Sequence, residues 1–239
     1  MADGVMTEGW DPGAGWQPRR LAAVAVELPD GVTPPGTKGE VLQAALALYS
    51  EYGFHGTSVR QIAGKVGINP ATLYAHYPSK EHILAELVLL GHRELHERLR
   101  AALAAARASA AARLTALVRG HALFHCDFPL LAVVANTELH ALSPERASAA
   151  LDLRGRCRQL LAGVLAEGSR SGEFRLIEPT LTAIALGGLS MQIAHWFAPG
   201  QPYVREQVAD TYAQLALRMV GARADNQSPT ITATDCVKG

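Results

Sequence analysis

The sequence predicts an all-α protein. Between residues 37 and 221, apolar side chains recur at three- and four-residue intervals, the period of an amphipathic helix. The breaks carry helix punctuation, Ser, Thr or Asn ahead of a start and Gly behind a stop, and no strand-turn-strand signal occurs. Only the flanks lack this order. Residues 1–36 ("DPGAGWQP", "PDGVTPPG") read as a flexible arm with a short extended piece at "LAAVAVEL", and residues 222–239 read as a disordered tail.

The elements follow in order. Val41, Ala45, Leu48 and Tyr52 form the stripe of a first helix that Gly53 ends. Val59, Ile62, Ala63 and Val66 form a second, capped by Thr57 or Ser58 and stopped by Gly67. Asn69 caps a short third helix with Pro70 at its first position, where a missing N–H costs nothing. Ser79 caps a fourth, running through Ile83, Leu87, Leu95 and Leu99 to about residue 105. Further helices are expected near 110–126, 128–141, 144–170 and 179–197. A last one at 203–220 has Val208, Tyr212, Leu215 and Met219 on its stripe.

A chain of 239 residues that is 49% apolar, with mean hydropathy +0.07, is long enough to bury a core, and no apolar run reaches the roughly 18 residues that span a bilayer. The N-terminus has no basic start followed by an apolar stretch, so no secretory signal is expected. Cys126, Cys157 and Cys236 lie far apart without a CxxC pair, which argues against a disulfide framework or a cysteine zinc site and fits the cytoplasm. Formal charge is zero overall but unevenly spread. Residues 1–36 set five acids against Arg19 and Arg20 (net −3), whereas residues 37–80 set Lys38, Arg60, Lys65 and Lys80 against Glu40 and Glu51 (net +2).

Two helices joined across "GIN" have the form of a helix-turn-helix unit. Ala63 supplies a small side chain at the crossing, and Ile62, Val66, Ile68 and Leu73 fill the space between. Tyr77 is expected to turn back onto the first helix. In such units the second helix enters the major groove with its N-terminal residues nearest the base edges. Small or short side chains at Asn69, Ala71 and Thr72 let its backbone come close. Tyr74, His76 and Lys80 are placed to reach phosphate oxygens, which fixes register. Arg60 is long enough to pair with a guanine edge. The helix starts near Thr57 and Ser79 offer N–H groups to phosphates.

The run from Val41 to Leu84, "AALALYSEYGFHGTSVRQIA" followed by "VGINPATLYAHYPSKEHIL", closely resembles the DNA-binding domain of the TetR (tetracycline repressor) family of bacterial regulators. Its most specific part is Leu73-Tyr74-x-His76-Tyr77-x-Ser79-Lys80. The resemblance implies DNA-contact roles for Thr57, Arg60, Thr72, Tyr74, His76 and Lys80. Tyr77 stands where the family more often has Phe, and Ala71 where it more often has Gly. The implied plan is an arm (1–36), a helix-turn-helix domain (37–83), a helical effector-binding and dimerisation domain (84–221) and a tail (222–239).

One such unit contacts few base pairs, so a homodimer on a palindromic double-stranded operator is expected. Its interface is assigned to 144–170, with apolar residues on more than one side, and to 179–197, whose Gly187 and Gly188 suit close packing. His121, Phe124, His125, Phe128, Asn136, Glu138, His140, Gln192, His195 and Trp196 interrupt apolar helices and are the candidates for a small-molecule site. The C-terminal pattern from "AHWFAPGQPY" onward resembles the branch of the family that controls fatty-acid and sterol breakdown and implies an acyl-CoA effector. Arg119, Arg154, Arg158 and Arg170 are then the candidates to meet the CoA phosphates. His92/His96 and His121/His125 have metal-compatible spacing but no local third ligand. No nucleotide loop, HExxH or nucleophile elbow occurs, so neither enzyme activity nor a cofactor is expected. The reading is a ligand-released transcriptional repressor. Its alternatives are a metal-sensing, effectorless or activating regulator and a helical adaptor that does not bind DNA.

Overall fold

Helix α1 (Thr37–Gly56) begins the ordered head of the molecule, and its wide apolar face decides how the next three helices sit. The computed structural model describes residues 24–197 and 203–222. Val41, Leu42, Ala45, Leu46 and Tyr49 of α1 are fully buried. The expected stripe fails at its end, since Tyr49, three residues earlier, rather than Tyr52 points inward. Tyr52 is 52% exposed, whereas the Tyr49 hydroxyl donates to the Lys80 carbonyl at 3.1 Å. Gly53 breaks the helix as expected, with φ 71°, a left-handed backbone that favours glycine. One further turn then carries the chain to Gly56.

Helices α2 (Val59–Val66) and α3 (Pro70–His76) are delimited by local chemistry. Ser58, not Thr57, is the α2 cap. It accepts from Gln61 N while Gln61 Oε1 accepts from Ser58 N, a reciprocal capping box. Gly67 closes α2 at φ 81°, and Ile68 N reaches back to Ala63 O. Asn69 Oδ1 accepts from Thr72 N at 2.8 Å. Ile62, Ala63, Leu73 and Tyr77 bury themselves against α1, and the Tyr77 hydroxyl donates to Lys38 O at 3.4 Å.

The segment read as the end of a mobile arm also packs here. Leu28 is buried in this core, with Val24, Val26 and Val32 against it. No strand forms at residues 24–28, the described part of the expected extended piece. Residues 1–23 of the arm and 223–239 of the tail lie outside the described residues.

Helix α4 (Lys80–Ala105) is the spine, packing on α1 at one end and on α5 (Ala110–Asp127), α6 (Pro129–Thr137) and α7 (Pro144–Ser171) along its length. The expected helix over 128–141 is shorter. It sits at 101° to α5, ends at Thr137, and is followed by a 3₁₀ turn at Leu139–Ala141. The expected helix over 179–197 is broken into α8 (Pro179–Leu189) and α9 (Ile193–Trp196). Across the break, Met191 N bonds Gly188 O and Ile193 N bonds Ser190 O, the three-residue pattern that tightens a helix end. Helix α10 (Arg205–Met219) packs on α5. It does so through Val208, Ala209, Ala213 and Ala216, leaving the expected Leu215 and Met219 partly exposed because small residues permit the closer approach. Among the described residues, no single helix is long and apolar enough to cross a membrane.

Two contacts fix the far end. A β-carbon added at Gly168 would stand 2.1 Å from the ring of Phe174, itself only 4% exposed. Gly168→Ala is therefore expected to lower stability by about 1–3 kcal/mol despite its better helix propensity, a shift of several degrees in a thermal melt. Glu173 accepts from the free N–H groups of Ala110 and Ala111 at 3.2 and 3.1 Å, and these bonds hold its carboxyl below the usual range. Its contribution is present above the ordinary carboxylate pKa and is lost as pH falls through the depressed folded value. Glu173→Gln should cost about 1 kcal/mol near neutrality and flatten the acid limb of stability against pH.

Candidate nucleic-acid interface and effector cavity

The outer surface of α2 and α3 carries most of the residues expected to meet DNA. Arg60, Asn69, Ala71 and His76 are exposed, and Tyr74 is 50% exposed. Thr72 is half-buried, and its hydroxyl donates to Asn69 Oδ1 at 3.1 Å.

Two expected contacts face inward. Thr57 is only 2% exposed, and its hydroxyl donates to Gly53 O at 2.9 Å. Lys80 donates from Nζ to Phe54 O at 2.6 Å and Thr57 O at 2.7 Å, with Nζ 4.2 Å from the centre of the Phe54 ring. Desolvation lowers the Lys80 pKa. The reason lies in the break at Gly53. The carbonyls where α1 ends have no helical partner, and an ammonium beneath them satisfies two. These two side chains, expected to meet DNA, are thus both engaged in hydrogen bonds within the protein in this structure.

A cavity of about 630 Å³ lies in the other domain among α4, α5, α7 and α8. Its wall is mostly apolar, with Leu95, Leu99, Leu117, Val118, Leu161 and Ile184 prominent. Of the expected residues, His121, His125 and Asn136 line it. The others do not. Phe124 is buried against Ala132, Val133 and Ala194. Phe128 lies under the Arg98 guanidinium at 4.9 Å. Gln192, His195 and His140 are exposed, Trp196 packs beside Phe197 and Val208, and Glu138 faces the DNA-binding head.

Sequence reasoning missed His92 and Ser190. His92 stands out in the sequence only as half of the His92/His96 pair, a spacing that suggests a metal rather than a cavity wall, and Ser190 lines the cavity only because α8 breaks there. Of the four arginine candidates, Arg154 and Arg158 line the cavity. Arg119 is instead paired with Asp210, and Arg170 is exposed in the last turn of α7. Burial pulls the His125 pKa down to about 4 and that of His121 well below its ordinary value, each lowered further by a neighbouring histidine, so both rings are neutral near pH 7. Among the described residues, no group of three or more His, Cys, Asp or Glu could hold a metal.

Side-chain bonds tie this domain to the DNA-binding head. Glu138, just past α6, accepts from Phe54 N at 3.3 Å. Glu81 accepts from Ser143 N at 2.8 Å and pairs with Arg146 at 3.2 Å, joining α4 to the start of α7.

An all-helical chain with this head and a mostly apolar cavity has the architecture of a ligand-sensing DNA-binding regulator. Residues 41–87 match the family described as "Bacterial regulatory proteins, tetR family", and residues 107–220 match "Tetracyclin repressor-like, C-terminal domain". The TetR-family regulator PfmR from Thermus thermophilus is 31% identical, superposes with a TM-score of 0.67, and aligns over 74% of this chain and 97% of its own. The ketosteroid transcriptional regulator KstR2 of Mycobacterium tuberculosis superposes with a TM-score of 0.73 at 27% identity, over 80% of this chain and 98% of its own. The transcriptional repressor KstR2 of Rhodococcus jostii is 27% identical over 183 residues, 76% of this chain and 90% of its own. The chain belongs to the TetR family of DNA-binding transcriptional regulators.

Proposed function

We propose that this protein is a homodimeric repressor of a palindromic operator, released by a small and largely apolar effector of the acyl-CoA thioester class. The observation that carries the reading is the path of α4. Its first residue, Lys80, grips the end of α1, and its middle, at His92, Leu95 and Leu99, forms a wall of the cavity. A ligand that shifts this wall moves the helix on which the head is mounted. It releases DNA to the extent that it binds the released state better than the DNA-bound one.

Arg60, Asn69, Ala71, Thr72, Tyr74 and His76 are assigned to DNA, Arg60 to a base edge and Tyr74 and His76 to phosphates. Support for dimerisation comes from α7 and α8, where Leu151, Leu181 and Ile184 are 46%, 64% and 66% exposed, the kind of apolar patch that marks an interface. Support for a thioester comes from Arg154 and Arg158 on the wall of a mostly apolar cavity, a pairing suited to a phosphorylated carrier with an apolar tail. The ketosteroid in the KstR2 relative's name is a largely apolar molecule, in keeping with a mostly apolar cavity wall.

The test is a mobility-shift titration on the DNA upstream of the protein's own gene, with and without a panel of acyl-CoA thioesters. At least one thioester is expected to weaken binding about tenfold or more, and Arg154→Ala with Arg158→Ala should raise the concentration required. DNA binding that no thioester alters would exclude this effector class.

A further inference from the structure

Two residues of the cavity wall carry a polar atom that the protein leaves unsatisfied. Nε2 of His125 and Oγ of Ser190 are buried without a protein hydrogen-bond partner, on residues each 1% exposed, and both residues line the cavity. Buried polar atoms are nearly always paired, so an orphan on a cavity wall points to a partner that arrives with a ligand.

The chemistry of that partner follows from the other nitrogen of the ring. Nδ1 of His125 lies 2.8 Å from the His121 carbonyl oxygen. A carbonyl can only accept, so Nδ1 carries the hydrogen, and in a neutral imidazole Nε2 is then a bare acceptor. Desolvation keeps the ring neutral. His92 repeats the arrangement, with Nδ1 2.8 Å from Val88 O and Nε2 left as an acceptor. Ser190 can donate or accept. No carboxylate or lysine lines the cavity.

We propose that the apolar body of the effector carries a hydroxyl group, which donates to Nε2 of His125 and pairs with Oγ of Ser190, and that a carbonyl at the same place is rejected. This rests on the cavity being the effector site, but not on the effector being a thioester. A ketone oxygen would bring lone pairs against the lone pair of Nε2, and a bare methylene would leave both protein atoms unpaired. Either loss is of the kind that lets polar sites discriminate far better than apolar ones.

The experiment is calorimetric binding to the full chain in two arms. One uses CoA thioesters of a single chain length bearing a methylene, hydroxyl or oxo group at successive carbons. The other uses CoA-free straight-chain alcohols and the matching ketones. In at least one arm, one hydroxylated isomer is expected to bind about tenfold or more tighter than its oxo and unsubstituted counterparts. His125→Leu should bring that ratio to about one, and Ser190→Ala should reduce it. His125→Gln, whose amide both donates and accepts, should admit ketone and alcohol alike, and it keeps the test alive if the leucine variant does not fold. A preference for the ketone, no preference in either arm, or a preference that survives both His125 substitutions would overturn the proposal. A hydroxyl preference confined to the CoA-free arm would uphold it while excluding the thioester. No binding in either arm would overturn both.

Discussion

Ala71→Glu is expected to abolish operator binding, with a loss of at least about a hundredfold, while leaving the melting temperature unchanged or slightly raised. Ala71 is exposed at the second position of α3, on the end of the helix assigned to the major groove. A carboxylate there faces phosphates from a helix built to approach them, and like charges across so short a gap are strongly unfavourable. For the isolated protein the sign is opposite, because a negative charge in the first turn of a helix is mildly stabilising. Fluorescence anisotropy on a labelled operator and a circular-dichroism melt read the two effects separately. A variant that binds normally would remove α3 from the interface, and one that unfolds would show that Ala71 has a packing role its exposure does not suggest.

Lys80→Met should fail differently. Removing the ammonium takes the 2.7 Å donor from the Thr57 carbonyl and leaves the Phe54 carbonyl with only the 3.4 Å bond from Thr57 N. Hydrogen bonds involving a charged group contribute about 1.5–3 kcal/mol each, and a buried acceptor left bare adds its own cost. A destabilisation of about 2–4 kcal/mol is expected, hence a fall of roughly 5–15 °C in the melt. DNA binding should weaken because the end of α1 and the start of α4 lose a fastening beneath the helix-turn-helix. The dependence of affinity on salt should keep its slope, since no phosphate contact is lost. A phosphate-binding Lys80 would do the reverse, giving an unchanged melt and a slope shallower by about one.

What the sequence reveals and what it hides divide along the range of the interactions involved. The helix-turn-helix is legible because its boundaries are set by neighbours in the chain: Ser58 with Gln61, Gly67 in the left-handed region, and Asn69 ahead of Pro70. The substitution of Tyr49 for Tyr52 on the buried face of α1 is less visible, since both lie near one broad stripe and the choice is made by α4, where Tyr49 finds the Lys80 carbonyl. The inward turn of Lys80 is invisible to any local rule, because its acceptors lie 23 and 26 residues earlier.

The cavity suffers most. A polar or aromatic residue on an apolar helix is a fair candidate for a ligand site, and His121, His125 and Asn136 meet that description and line the cavity. Phe124 and Phe128 meet it equally and are packing residues, because which side of α5 faces the cavity depends on α4 and α10. His195 lies on the far side of the break between α8 and α9, which the apolar, helix-period sequence conceals. The same break brings in Ser190, which no pattern singles out.

The central claim is that α2 and α3 hold duplex DNA through its phosphates and base edges. The most direct measurement is the affinity of the intact protein for DNA from upstream of its own gene, titrated against salt between about 50 and 200 mM. Neutralised phosphates release counterions, so log affinity is expected to fall linearly with log salt, steeply enough to cost at least tenfold over that range, with a fixed excess of affinity over scrambled DNA of equal length. Affinity that is flat in salt, or equal for the two DNAs at every salt concentration, would contradict it.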